Sequence, residues 1–106
     1  MDINKILKSR TYGNDQPRIY IGQVRTNSGN FIIGISAGDN RFSTPNEYLE
    51  VPSYTKFQIE IYTKVGQLAT PSQKFPFEPI LGNEAIDSDT IEWISQEQIW
   101  QCVNEL

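Results

Sequence analysis

The chain has 106 residues and a formal net charge of −4, with 38% hydrophobic and 21% charged residues. These values predict a single domain over residues 1–106, argue against disorder, and disfavour a nucleic-acid binder that works by neutralising phosphates. One cysteine excludes an internal disulfide, and no run resembles a signal peptide or a membrane span, so we expect a cytoplasmic protein.

The first third of the chain predicts a short helix followed by a hairpin. Asp2 stands at a helix N-cap position, and apolar residues follow it at helical spacing. Residues 18–26 and 31–36 are rich in β-branched and aromatic side chains, which is typical of strands. Gly29, in the connection between them, suits the left-handed position of a short hairpin loop.

Two Thr-Pro pairs, each with Glu or Gln three residues after the threonine, predict capping boxes at residues 44–47 and 70–73. The first box predicts a short helix over residues 45–50 that ends before Pro52. A partner-binding loop that exposes Arg41, Phe42 and Tyr48 is a second interpretation of this segment, compatible with the helix, and a proline-directed phosphosite is a third.

Residues 54–64 alternate between apolar and polar side chains, which predicts a half-buried strand with Tyr62 on its polar face. Residues 67–70 then predict a short return strand. Two prolines exclude residues 74–82 from a central strand, so we expect an extended edge or a covering loop there.

The last 17 residues predict a strand followed by a helix. Residues 90–94 alternate in a way that places Ile91 and Trp93 together on the buried side. A third capping box begins at Ser95, and the apolar stripe of the helix includes Cys102. Trp100 borders that stripe, where it either packs against the core or stands exposed as an interface anchor.

These elements together predict an α+β fold. Its sheet is mostly antiparallel with about five strands, a C-terminal helix packs on one face, and a short helix is possible at the N-terminus.

The chemistry of the side chains argues against a catalytic centre. The sequence has no histidine, which removes the usual base near neutral pH and the commonest metal ligand. Acidic residues cluster at Glu84, Asp87, Asp89 and Glu92, but their spacing matches no calcium loop, and we interpret them as a solvated turn. We therefore expect no metal, no cofactor and no catalytic residue, with a carboxylate-based enzyme or small-ligand binder as an alternative.

Charge is divided along the chain. Residues 1–41 hold six basic and three acidic residues, a net charge of +3, whereas residues 42–106 hold three basic and ten acidic residues, a net charge of −7. Folding either mixes these charges or leaves a cationic and an anionic face.

The leading hypothesis is a small non-enzymatic protein that binds another protein. Inhibitors or adaptors of the bacterial or phage immunity and anti-defence class share its size and acidity, and its acidic half would complement a basic target. The candidate contact residues are Arg41, Phe42, Tyr48, Tyr62 and Trp100. A second alternative is a single-stranded nucleic-acid binder that uses Arg10, Tyr12, Arg18 and Tyr20.

Overall fold

The computed structural model describes residues 2–11 and 17–106, and within them it contains one five-stranded antiparallel sheet whose strands lie in chain order. The strands are β1 (Lys8–Thr11), β2 (Arg18–Arg25), β3 (Phe31–Gly38), β4 (Lys56–Thr63) and β5 (Ile91–Ser95). The α-helices are α1 (Pro71–Lys74), α2 (Glu78–Leu81), α3 (Glu84–Asp87) and α4 (Gln96–Glu105), and two 3-10 turns lie at Ile3–Lys5 and Phe75–Phe77. The predicted α+β class is confirmed.

The hairpin and both terminal helices form as their local chemistry predicts. Gly29 has a φ of +79°, and the Thr26 N–H donates to the Phe31 carbonyl at 3.0 Å to close the β2–β3 connection. The predicted N-terminal helix is a single 3-10 turn, which Asp2 caps by accepting from the Asn4 N–H at 2.9 Å. At the other end, the Ser95 capping box forms and starts α4.

The core lies between one face of the sheet and the helical residues that cross it. Phe31 of β3 packs perpendicular to Phe77 with 4.9 Å between ring centroids, and α4 turns its apolar stripe towards the sheet. The largest fully buried side chains include those of Ile33, Tyr54, Phe57, Ile59, Ile61, Phe77, Ile99 and Cys102. In the part of the chain that the structure describes, no helix is long and apolar enough to cross a membrane.

Residues 74–81 are helical and Gly82 caps α2, so the prediction of an extended edge or covering loop over residues 74–82 is wrong. Pro71, Pro76 and Pro79 each occupy the first or second position of a helical turn, where a missing N–H costs no hydrogen bond. The predicted capping box of Thr70 and Gln73 does form. The return strand predicted at residues 67–70 is reduced to one bridge between Leu68 and Tyr62.

Residues 45–50 form no helix, because their donors are bonded to distant groups. Thr44 pairs with β4, donating its N–H to the Lys56 carbonyl at 3.1 Å, and the Thr44–Pro45 peptide bond is cis. The Tyr48 N–H donates to Asp39 at 3.0 Å and the Leu49 N–H to the Tyr54 hydroxyl at 3.1 Å. These long-range bonds replace the local capping pattern that the sequence indicated.

A bulge in β5 overturns the prediction that Trp93 belongs to the core. Phe57 pairs with Ile94 and Ile59 with Ile91, so Glu92 and Trp93 together oppose the single residue between the two pairs on β4. The extra residue reverses the alternation after Ile91, because side chains on a strand change face with every residue. Ile91 and Ile94 are therefore buried, while Trp93 is 47% exposed and has a φ of +51°.

Gly38 ends β3, and we expect it to resist substitution more than other glycines with positive φ. Its φ is +126°, and a Cβ there would lie 2.7 Å from the Arg18 carbonyl oxygen, whereas Gly66 has a φ of +84° and open space around it. Gly66→Ala should cost about 1 kcal/mol of unfolding free energy, and Gly38→Ala about 3 kcal/mol or more. Urea denaturation measures both, and equal losses would contradict the close approach at Gly38.

Candidate functional site

Phe42 and Trp93 form an exposed aromatic pair, which we call the Phe42–Trp93 patch. Their ring centroids are 5.1 Å apart at an interplanar angle of 67°, and the two residues are 41% and 47% exposed. Such a tilted, edge-on arrangement is favourable for two aromatic rings. Two large apolar side chains therefore meet at the surface instead of entering the core.

Two hydrogen bonds, one to the carbonyl of Phe42 and one from its N–H, fix the backbone position of this residue. The Trp93 N–H donates to the Phe42 carbonyl at 3.1 Å, and the Phe42 N–H donates to Oε1 of the buried Gln58 at 3.2 Å. The next residue, Ser43, is buried, accepts from the Gly38 N–H at 3.2 Å and donates to the Pro45 carbonyl at 2.8 Å. The loop after β3 thus holds Phe42 against the bulge of β5.

Opposing contributions to stability nearly offset one another at Trp93. A left-handed backbone conformation costs a residue other than glycine about 1–2 kcal/mol. An aromatic pair such as the one with Phe42 contributes about 0.5–1.5 kcal/mol. Strained residues of this kind, and bulges beside them, concentrate at functional sites.

A groove of about 330 Å³ runs beside Trp93 between β5 and α3, and we call it the β5 groove. Ala85, Ile91 and Ile94 are buried residues of its lining and form an apolar floor. Glu84 and Glu92 are exposed lining residues and form its polar rim. Trp93 belongs to both the patch and the groove.

Lys74 is buried behind this groove. Its position in a polar stretch of the sequence did not indicate this burial. Its Nζ donates to the carbonyls of Ala85 at 3.0 Å and of Ser88 at 2.7 Å, and only 2% of the residue is exposed. A buried ammonium group needs such acceptors, since burying an unpaired charge is costly. These two bonds tie α1 to the end of α3 and so set one wall of the groove.

The structure places the predicted partner-binding residues in four separate environments. Phe42 is exposed in the patch, and Arg41 precedes it, half-buried, with its guanidinium donating to the Asn40 carbonyl. Tyr62 lies on the sheet face opposite the core, where its hydroxyl donates to Glu60 at 3.0 Å. Trp100 is half-buried and packs against the core, and its buried indole N–H has no hydrogen-bond partner among residues 2–11 and 17–106.

Tyr48, the remaining candidate, belongs to a cluster that anchors residues 45–50. Its ring stacks on Tyr20 with 5.0 Å between centroids, and the Arg18 guanidinium lies 4.8 Å from its ring centre. The Arg18 and Tyr48 N–H groups donate to Asp39 and hold the pKa of that carboxyl below its usual range. The hydrogen bond with Ser9 lowers the pKa of the Tyr48 hydroxyl.

The residues of the nucleic-acid alternative do not share an open face. Tyr20 is only 4% exposed, its hydroxyl donates to the Leu49 carbonyl, and burial raises its pKa. Arg10 pairs with Ile19 and Arg18 with Thr11, so alternation directs the two arginine side chains to opposite faces of the sheet. Tyr12 lies outside the described residues.

Charge is distributed between the two edges of the sheet. Lys8 and Arg10 are exposed on β1 at one edge, whereas Glu84, Asp87, Asp89 and Glu92 are exposed beside β5 at the other. Arg18 and Asp39, 3.7 Å apart, are the only ion pair within residues 2–11 and 17–106. These two basic and four acidic side chains therefore lie at opposite edges of the sheet.

No group of three or more acidic or cysteine side chains in the described ranges is arranged to hold a metal ion. No protein-family model, curated protein or solved structure matches this chain.

The single thiol, Cys102, is buried on α4 as predicted, and burial raises its pKa to about 12. Such a thiol carries little thiolate near neutral pH.

The raised pKa of Cys102 predicts a loss of stability in alkali. The unfolded thiol ionises from its ordinary pKa of about 9, but the folded thiol does so only near 12, so the stabilisation is complete below pH 9 and is lost as the pH approaches 12. The difference in unfolding free energy between wild type and Cys102→Ala should therefore shrink between pH 9 and 11. Urea denaturation at each pH measures it, and a constant difference would contradict the assignment.

Trp93 should contribute little to stability compared with an aromatic residue of the core. Trp93→Asn keeps a residue that tolerates positive φ, so we expect a loss of at most about 1.5 kcal/mol in unfolding free energy. Phe77→Ala, at a position with no exposure, should lose about 3–5 kcal/mol. Comparable losses in the two variants would show that Trp93 is a core residue after all.

Proposed function

We propose that this protein is non-enzymatic and acts by binding another protein, as an inhibitor or adaptor, through the Phe42–Trp93 patch. The observation that carries the proposal is Trp93 itself, an exposed tryptophan in a left-handed conformation at a bulge. Tryptophan is among the residues that most often dominate binding energy at protein interfaces. A tryptophan turned outwards by a strained backbone therefore favours a contact role over a packing role.

The rigidity of the patch supports the same proposal. Phe42 is held between Gln58 and Trp93 by backbone hydrogen bonds, and the two rings pack against each other. Association is costly when side chains lose rotamer freedom on binding, and rings that are already fixed lose less. Arg41, next to Phe42 in the chain, adds a polar group at the border of this contact.

The proposal includes a cytoplasmic location and the bacterial or phage immunity or anti-defence class. A single buried thiol with a raised pKa suits a reducing compartment, where disulfides are rare. The same thiol and the absence of histidine from the sequence support a role without catalysis. The immunity or anti-defence class rests on size and acidity alone.

Affinity capture from native lysate, followed by calorimetry with the purified partner, tests this function. We expect Trp93→Asn to weaken binding by about 2 kcal/mol or more, about thirtyfold in Kd, because it removes the central anchor. Phe42→Ala should weaken binding in the same direction.

Val65→Ser is the matched control, since Val65 is 73% exposed and lies beyond the opposite end of β4 from the patch. It should bind like wild type. A partner that wild type and Trp93→Asn bind with equal affinity would contradict the proposal, provided circular dichroism shows that both are folded.

A further inference from the structure

The β5 groove has the composition of a site for a long cationic side chain. Its floor is apolar, formed by Ala85, Ile91 and Ile94, and its rim carries the carboxylates of Glu84 and Glu92. Arginine and lysine have the matching character, with an apolar stem and a charged head. The volume of about 330 Å³ lies near the lower limit of small-molecule pockets, which suits one side chain.

The charge balance around the groove is negative. Glu84 and Glu92 line it, and Asp87 and Asp89 are exposed in the segment between them. Among the described residues, Lys74 donates from its buried ammonium to two carbonyls of the groove lining, and Arg41 lies next to Phe42 of the adjoining patch. Neither rim carboxylate has a cation within 4.0 Å among the residues the structure describes, so their charge is available to a partner.

Trp93 favours a guanidinium over a simple ammonium. Trp93, which is 47% exposed, lines the groove together with its chain neighbour Glu92. Guanidinium groups stack on aromatic faces and also form paired, charge-assisted hydrogen bonds with carboxylates. A tryptophan and carboxylates around one groove thus present both kinds of contact that an arginine makes.

We propose that the protein partner inserts an arginine side chain from a basic segment into the β5 groove. This inference rests on the proposed function and adds the chemistry of the partner to it. The aromatic patch supplies the apolar contact, and the groove next to it selects a positively charged segment. The acidic edge of the sheet speeds the encounter with such a partner and makes it dependent on salt.

NMR titration of the ¹⁵N-labelled protein with N-acetyl-arginine amide tests the groove directly. We expect saturable shifts of the Trp93 indole N–H and of the backbone amides of Ala85 and Ser88. N-acetyl-citrulline amide, which has nearly the same shape without the charge, should bind at least about threefold more weakly. Equal binding of the two probes, or shifts that do not saturate, would overturn the inference.

Two charge-neutralising variants locate the contact. Glu84→Gln and Glu92→Gln should each weaken arginine binding about threefold or more, and Glu47→Gln, an exposed acid that does not line the groove, should leave it unchanged. The same three variants are then measured against the captured partner. Partner binding that needs Trp93 but is unchanged in both groove variants overturns this inference and leaves the proposed function standing.

Two further outcomes distinguish the arginine proposal from the proposed function and from self-association. Partner binding that survives Trp93→Asn overturns the proposed function, and this inference with it. The exposed Lys8 and Arg10 on β1 could also supply a cation from a second copy of the chain. A self-associated form that Glu92→Gln disperses, measured by light scattering, would therefore overturn the assignment of the groove to a different protein.

Discussion

One additional residue in β5 determines the candidate site. If Glu92 and Trp93 did not share a single partner position on β4, strict alternation would turn Trp93 to the face that Ile91 occupies. The bulge turns Trp93 outwards instead and lets Ile94 fill the core. It also directs the Trp93 N–H to the Phe42 carbonyl, so the loop after β3 and the last strand are joined at the surface. The aromatic patch and one wall of the groove both follow from this change of register.

The order of the strands gives the surface its electrostatic character. Because the sheet follows the chain from β1 to β5, the exposed Lys8 and Arg10 of the first strand and the acidic turn before the last strand lie at opposite edges. The acidic turn therefore precedes Trp93 directly, at the β5 edge. The apolar anchor and the acidic rim are therefore neighbours as a consequence of a simple meander.

Local chemistry predicted most of the fold but only part of the site. Hairpin residues, capping boxes and the α4 stripe act over a few positions, so the sequence reveals them, and it also indicated an exposed Phe42. The helix predicted over residues 45–50 does not form, because distant groups such as Asp39 accept hydrogen bonds from their backbone N–H groups. The helical structure within residues 74–82 was not predicted, because prolines that exclude a strand are still compatible with the first turn of a helix. The exposure of Trp93 was not predicted, because nothing in an alternating run indicates the additional residue of a bulge.

Acrylamide quenching of Trp93 fluorescence, measured in a Trp100→Phe background, tests whether Trp93 is the exposed anchor of the interface. That substitution loses no hydrogen bond to the part of the chain that the structure describes, where the buried Trp100 indole N–H has no partner. We expect that acrylamide quenches the Trp93 emission readily in the free protein and that a saturating concentration of the partner protects it. An indole already shielded in the free protein, or one whose quenching does not change on binding, would contradict the assignment of Trp93 as the anchor.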